Sequence, residues 1–151
     1  LIRMKNNGRR FLDFIPLLSE EEIDFDHLAG SFAVIQCKGK YLLCYNVWRE
    51  QWEIPAGSRE GNETPMECAK RELYEETGQR VNKMELKGIL KSQNLQDGSI
   101  INNPVYYSVV SELQPFLENK ETSAILLWDL QEKIGPLDEV DIKIFDYIRG
   151  W

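Results

Sequence analysis

The sequence predicts an α/β domain, a sandwich built around a mixed β-sheet. Three observations carry that expectation. Strand-like stretches lie before and after one strongly marked helix at residues 65–77; a second helical pattern closes the chain at 136–149; and no internal repeat or low-complexity linker interrupts the 151 residues. That length suits one ordinary domain able to bury a core, and 42% hydrophobic with 28% charged residues is globular composition. Residues 1–151 are therefore read as a single domain, with 1–26 as an N-terminal extension whose structure the sequence leaves open.

Taken in order, Ser19 followed by Glu20, Glu21 and Glu22 carries a capping pattern, but Asp24 and Asp26 come next and fit an acidic loop equally well. Leu28–Cys37 is strand-like, rich in small and β-branched residues. Lys38-Gly39-Lys40 turns the chain into a second strand, Tyr41–Val47. Arg49–Ile54 reads as a short strand stopped by Pro55-Ala56-Gly57. Thr64 then caps a helix with Pro65 at its first position, Glu67 completing a capping box and Gly78 placed to end it. Met66, Ala69 and Leu73 recur at helical spacing and should face the core. Strands are expected at 83–92 and 104–111, with Asp97-Gly98 marking a turn between them, and at Ala124–Trp128. In the closing segment, Leu137, Val140, Ile144 and Ile148 form one apolar stripe.

Composition excludes several function classes. No run of about 18 apolar residues exists, so no membrane-spanning helix is expected. Leu1–Arg10 is basic and polar without the apolar core of a secretory signal, and the expected cytoplasmic setting rests on the cysteines. Cys37, Cys44 and Cys68 form no CxxC pair and read as reduced core thiols. The net charge of −7 argues against a broad nucleic-acid surface while leaving a nucleotide substrate open. With His27 as the sole histidine, a bound metal must be held by oxygen ligands, which points to Mg²⁺ with Mn²⁺ as the alternative.

The helix carries the chemistry. Arg71-Glu72-Leu73-Tyr74-Glu75-Glu76 places Glu72 and Glu76 four apart on one face, with Glu75 beside them. All three lie near the negative end of the helix dipole. The like-charge pair costs roughly 0.2–0.5 kcal/mol and each misplaced acid roughly 0.3–1 kcal/mol more. A cation across the carboxylates would remove the conflict. A solvated acidic face, relieved by Arg71 pairing with Glu67 or Glu75, is the alternative, but it leaves the rigid turn at 55–57, Glu63 and Gly78 without a reason.

Gly57, five residues, Glu63, seven residues, then Arg71-Glu72-Leu73-x-Glu75-Glu76-x-Gly78 resembles the Nudix box of diphosphate hydrolases, G-x5-E-x7-R-E-U-x-E-E-x-G-U with U a bulky aliphatic residue. Every defined position matches at the correct spacing except the last, where Gln79 stands in the aliphatic place and puts local packing in question. Trp52-x-Ile54-Pro55-Ala56-Gly57 is similar to the strand and turn that enter the box, with Ala56 where many members have Gly. The resemblance implies a Nudix-type α/β/α sandwich and an Mg²⁺-dependent hydrolase cleaving a diphosphate bond.

It also implies roles. Glu72, Glu75 and Glu76 would hold the metal with the backbone carbonyl of Ala56; Glu63 would join that shell or receive Arg71; Arg71 would orient the carboxylates. Glu72 is the box residue expected to act as base. Family members often use a further acid at the start of a late strand, where this chain has Ala124; Glu118 and Glu121 are the nearby substitutes. The neighbourhood Gln93-Asn94-Leu95-Gln96 lacks the Pro of ADP-ribose hydrolases, and no coenzyme A signature is present, so a nucleoside di- or triphosphate derivative, oxidised or non-standard included, is the expected substrate. Trp48, Arg49 and Trp52 could stack on a base or touch phosphate, although Trp52 fits sheet packing better, and Asn102, Asn103 and Tyr106 suit a pocket or a turn. A non-catalytic nucleotide-binding module of the same fold is the alternative function, an isoprenoid-diphosphate isomerase a remote one. A homodimer stays open.

Overall fold

The computed structural model describes residues 4–17, 19–24 and 27–151. Its central hairpin follows from the sequence pattern. Strand β3 (Ser31–Cys37) and strand β4 (Lys40–Asn46) pair antiparallel across Lys38-Gly39, both residues taking positive φ (53° and 77°). Along β3 the side chains alternate between two cores. Phe32 and Val34 face one, with Leu43, Ile54, Val105 and Trp128; Ala33 and Ile35 face the other, with Leu42, Ala69, Leu73 and Tyr106. A strand buried on both faces is why this stretch reads as continuously apolar.

The remaining strands are β1 (Met4–Lys5), β2 (Arg9–Pro16), β5 (Gln51–Glu53), β6 (Ala56–Gly57), β7 (Glu85–Asn94), β8 (Ile100–Val110), β9 (Thr122–Trp128) and β10 (Leu137–Asp138). They form one mixed sheet in the order β1-β10-β5-β4-β3-β8-β7-β2, with β6 added to β3 and β9 to β4. The β3–β8 pairing is parallel, and its neighbours β3–β4 and β7–β8 are antiparallel. Helix α1 (Pro65–Thr77) covers one face of the sheet, and a 3₁₀ helix, Asp141–Tyr147, covers the other through Ile144 and Phe145. The expected sandwich is therefore present. No helix among the described residues is long and apolar enough to cross a membrane.

One expectation needs correction, and two readings the sequence left open take definite form. The closing segment is not an α-helix over 136–149. Leu137–Asp138 pairs with β5 and β1, and the Asp138 carboxylate then accepts from the Val140 and Asp141 N–H groups (2.9 and 2.8 Å), turning the chain into the short 3₁₀ helix. The apolar stripe stays buried because three-residue spacing serves it nearly as well. The N-terminal extension is part of the sheet, since β2 pairs with β7 from Arg9 to Pro16. Asn102 and Asn103 lie on β8 rather than on a turn, and Asn103 lines a cleft. Glu20–Glu22 form a 3₁₀ turn in which the Glu22 carboxylate accepts from the Ser19 N–H (2.9 Å), while Asp26 lies outside the described residues.

Candidate active site

Helix α1 is fixed at both ends by its own residues. Thr64 Oγ1 accepts from the Glu67 N–H (3.1 Å), Glu67 Oε1 accepts from the Thr64 N–H (2.9 Å), and Gly78 closes the helix at φ 81° with its N–H on the Tyr74 carbonyl (2.8 Å). Ala69 and Leu73 are fully buried and set the helix's rotation, which leaves Glu72 and Glu76 facing the turn between β5 and α1. Met66 packs at the margin of the same core.

That turn is built for close approach. The Pro55 carbonyl accepts from the Ala33 N–H (2.9 Å), and Ala56 and Gly57 pair with Phe32 and Ser31 of β3. The Ala56 N–H donates to Glu76 Oε1 (2.9 Å). Gly57 lies against the Glu72 carboxylate so tightly that a β-carbon there would overlap it, and Gly30 backs onto the Gly57 carbonyl from the other side.

Arg71 organises the acids. Its Nε and Nη2 donate to the two oxygens of Glu63 (2.6 and 3.0 Å), Nη2 also reaches the Ser58 carbonyl (2.8 Å), and Nη1 donates to Glu72 Oε1 (2.8 Å) and Glu75 Oε2 (3.1 Å). Glu67 is occupied with the cap and does not receive Arg71. These bonds hold Glu63 below the usual carboxylate range and raise the Arg71 pKa. Burial pushes Glu72 up against the opposing pull of Arg71. Glu76 is 3% exposed; burial, then the charges of Glu121, Glu72 and Glu53, push it up to about 9 despite the Ala56 N–H.

The late loop meets the helix through Asn119. Its Nδ2 donates to the Glu75 and Glu76 carbonyls (2.9 and 3.3 Å), so an amide rather than a cation satisfies the acid-laden helix end. Its Oδ1 accepts from the Glu121 and Thr122 N–H groups (3.0 and 2.9 Å). Glu121 thereby sits where its charge acts on both Glu72 and Glu76, whereas Glu118 is exposed.

Sequence reasoning missed Glu53. It is 9% exposed and receives Arg49 Nη1 (3.1 and 3.3 Å), Gln51 Nε2 (2.6 Å) and Asn46 Nδ2 (3.0 Å). The available signal was slight: two polar residues, Gln51 and Glu53, on the same side of a short strand. Beside the turn opens a cleft of about 470 Å³, lined by Phe32, Arg49, Glu53, Ala56, Gly57 and Asn103. Trp52 packs on the sheet instead, its Nε1–H on the Ile134 carbonyl (2.9 Å), while Trp48 is exposed. Tyr106 is buried and donates to Glu20 Oε1 (2.8 Å).

The donors fit a hard divalent cation in kind. They are carboxylate oxygens, and the Cys44 thiol reaches Glu76 Oε2 only at 4.0 Å, too weak a contact to hold that oxygen against a cation. Among the described residues no three acid, His or Cys side chains already converge as a metal cage, and Glu75 is half-exposed while it pairs with Arg71. His27 is exposed and pairs with Asp24.

A family model described as the NUDIX domain matches residues 27–145. The chain belongs to the Nudix family. Among curated proteins nothing matches it. Solved Nudix structures share its fold. The Bacillus subtilis pyrophosphohydrolase BsRppH, in a mutant form, is 22% identical at TM-score 0.65, covering 91% of this chain and 92% of that one. The MutT NUDIX hydrolase of Burkholderia pseudomallei is 21% identical at TM-score 0.68, covering 79% and 95%. The NUDIX domain of Shewanella oneidensis NrtR, complexed with ADP ribose, is 18% identical at TM-score 0.66, covering 87% and 92%.

Proposed function

We propose that this Nudix protein is an Mg²⁺-dependent hydrolase, with Mn²⁺ as an alternative metal, that cleaves a diphosphate bond in a nucleoside di- or triphosphate derivative. One observation carries the reading: Glu72 and Glu76 are pressed against the Ala56-Gly57 backbone at the edge of a cleft able to hold a nucleotide. A similar fold named as a pyrophosphohydrolase, and another complexed with ADP ribose, support the substrate class.

In this reading Glu72, Glu75 and Glu76, with the Ala56 carbonyl, hold the metal. Glu63 serves Arg71, which keeps the carboxylates oriented. When bound, the cation supplies positive charge along the diphosphate and acidifies water. Glu121 takes the proton from the attacking water, because Arg71 already occupies one oxygen of Glu72 and the Glu72 carboxylate is packed against the Gly57 backbone. Arg49 stands at the cleft wall as a partner for phosphate or base. We place the activity in the cytoplasm, where three unpaired thiols would stay reduced.

Incubation with Mg²⁺ and a nucleotide panel, measuring released phosphate or pyrophosphate, tests the proposal. Glu76→Gln should abolish most turnover while the fold persists; undiminished turnover in that variant sinks the mechanism. A second reading, a binding module without turnover, is favoured by the outward position of Glu75. Tight nucleotide binding with no product across Mg²⁺ and Mn²⁺ would select it.

A further inference from the structure

Asn46, at the end of β4, is 1% exposed and uses its whole amide. Oδ1 accepts from the Trp48 and Arg49 N–H groups (2.9 and 3.0 Å), which fixes the turn into β5. Nδ2 donates to Glu53 Oε1 (3.0 Å) and to Glu121 Oε1 (3.2 Å). The two backbone N–H donors determine which end of the amide faces the acids, since a reversed side chain would set NH₂ against N–H.

The backbone beneath Glu121 is fixed as well. Its carbonyl accepts from the Val47 N–H (2.9 Å), and its N–H is held by Asn119. Between Cys44–Ile125 and Asn46–Thr122 the β4–β9 register gains one residue on β9. That irregularity falls at Ser123-Ala124, and such a bulge re-aims the residues around it. Glu121, rather than position 124, is thereby delivered to the helix. Unrestrained, a carboxylate among Glu53, Glu72 and Glu76 would swing to solvent to escape their charge. A buried neutral donor shared between two of these acids opposes that escape without adding charge.

We infer that Asn46 is a positioning residue for the reaction, its side-chain amide clamping Glu121 beside Glu76 and tying that acid to Glu53. The inference rests on the proposed role of Glu121 as proton acceptor. Asn46→Asp is the selective probe, because it keeps the oxygen that accepts from Trp48 and Arg49 and removes the donors. Asn46→Ser, which also lacks Nδ2 but adds no charge, covers the case in which the first variant does not fold.

The expected result is a kcat lowered by about 10- to 100-fold with KM within about threefold of the parent, the scale of a misplaced reacting group. Glu121→Gln should lower kcat by about 100-fold or more. The double variant should fall no further than Glu121→Gln alone, because the amide acts through that carboxylate. Full additivity, or a kcat for both Asn46 variants within twofold of the parent, overturns the inference. An NMR arm needs no substrate: the Asn46 side-chain amide protons should exchange slowly and shift in Glu121→Gln. Fast exchange and an unmoved signal overturn the contact itself. An intact contact with parental turnover in Glu121→Gln overturns instead the role of Glu121, and with it that of Asn46. An intact contact with no turnover of any nucleotide overturns the hydrolase reading, and the catalytic role of Asn46 with it.

Discussion

Gly57 and Glu72 occupy one another's space: the missing β-carbon of Gly57 is where the Glu72 carboxylate rests. The glycine is needed for approach rather than for backbone conformation, since its φ is not positive. Gly57→Ala therefore meets the far end of a flexible side chain and can be accommodated by moving it. Its melting temperature should stay within about 3 °C of the parent, a change of under about 1 kcal/mol, while turnover falls by about 100-fold. Gly30→Ala provides the contrast, because its β-carbon meets the Gly57 carbonyl, backbone that cannot swing away. It should cost about 3 kcal/mol, read by chemical denaturation.

Glu76 gives the stability a pH dependence of defined sign. Its folded pKa of about 9 lies above the ordinary value of 4.5, so the folded state holds the proton more tightly than the unfolded chain. Its contribution is fully present below about pH 4.5 and is lost as pH rises towards 9. Glu76→Gln keeps an oxygen for the Ala56 N–H and carries no charge. Without metal, the melting temperature of the parent relative to this variant should therefore fall steadily from about pH 5 to about pH 9. A constant difference across that range would show that Glu76 is ionised at neutral pH in the free protein.

The same proton competes with metal. A cation on Glu76 must displace it, so Mg²⁺ affinity should climb with pH. Millimolar Mg²⁺ or Mn²⁺ should raise the melting temperature more at about pH 8.5 than at about pH 6.5, and chelation should reverse the gain. Glu76→Gln should lose most of the effect. Equal shifts in the parent and the variant would place the ion elsewhere.

How legible this molecule was depended on whether a feature is local. The α1 boundaries follow from Thr64, Pro65, Glu67 and Gly78, all within hydrogen-bonding reach along the chain. The acid spacing on that helix is equally local. The closing segment departs from the expected α-helix because Leu137, Val140, Ile144 and Ile148 satisfy an apolar stripe in either helix type, and the deciding contact is the Asp138 side chain on nearby backbone. The pairing of β2 with β7 joins residues far apart in the chain, and no pattern in residues 9–16 names that partner. Glu53 and Asn46 escaped notice for a related reason. Each is an ordinary strand residue until β4, β5 and β9 are placed side by side.

Arg71 should not tolerate conservative replacement. Its guanidinium serves Glu63 with two nitrogens while the third nitrogen reaches both Glu72 and Glu75. An ammonium cannot span those acceptors in one plane. Arg71→Lys should cost about 2 kcal/mol in denaturation, from charged hydrogen bonds lost at a site 20% exposed, and should depress kcat more than it raises KM. Stability and kinetics matching the parent would show that the charge alone suffices.

Gln79, the one departure from the box, turns the helix exit into a polar joint. It is 4% exposed, yet Nε2 donates to the Gln114 carbonyl (2.8 Å) and Oε1 accepts from the Gln114 N–H (2.7 Å). The amide thus imitates a strand neighbour, pairing with both backbone groups of one residue in the segment before the late loop. The question the sequence raised about packing here is resolved by these bonds rather than by apolar contact. Gln79→Leu restores the family's aliphatic residue and strips Gln114 of both partners. Two unsatisfied backbone groups at a half-buried joint cost more than a leucine side chain recovers, so the variant should be less stable by about 2 kcal/mol. Faster hydrogen exchange at the Gln114 amide should accompany the loss. A more stable leucine variant would mean that water replaces the glutamine amide at no cost.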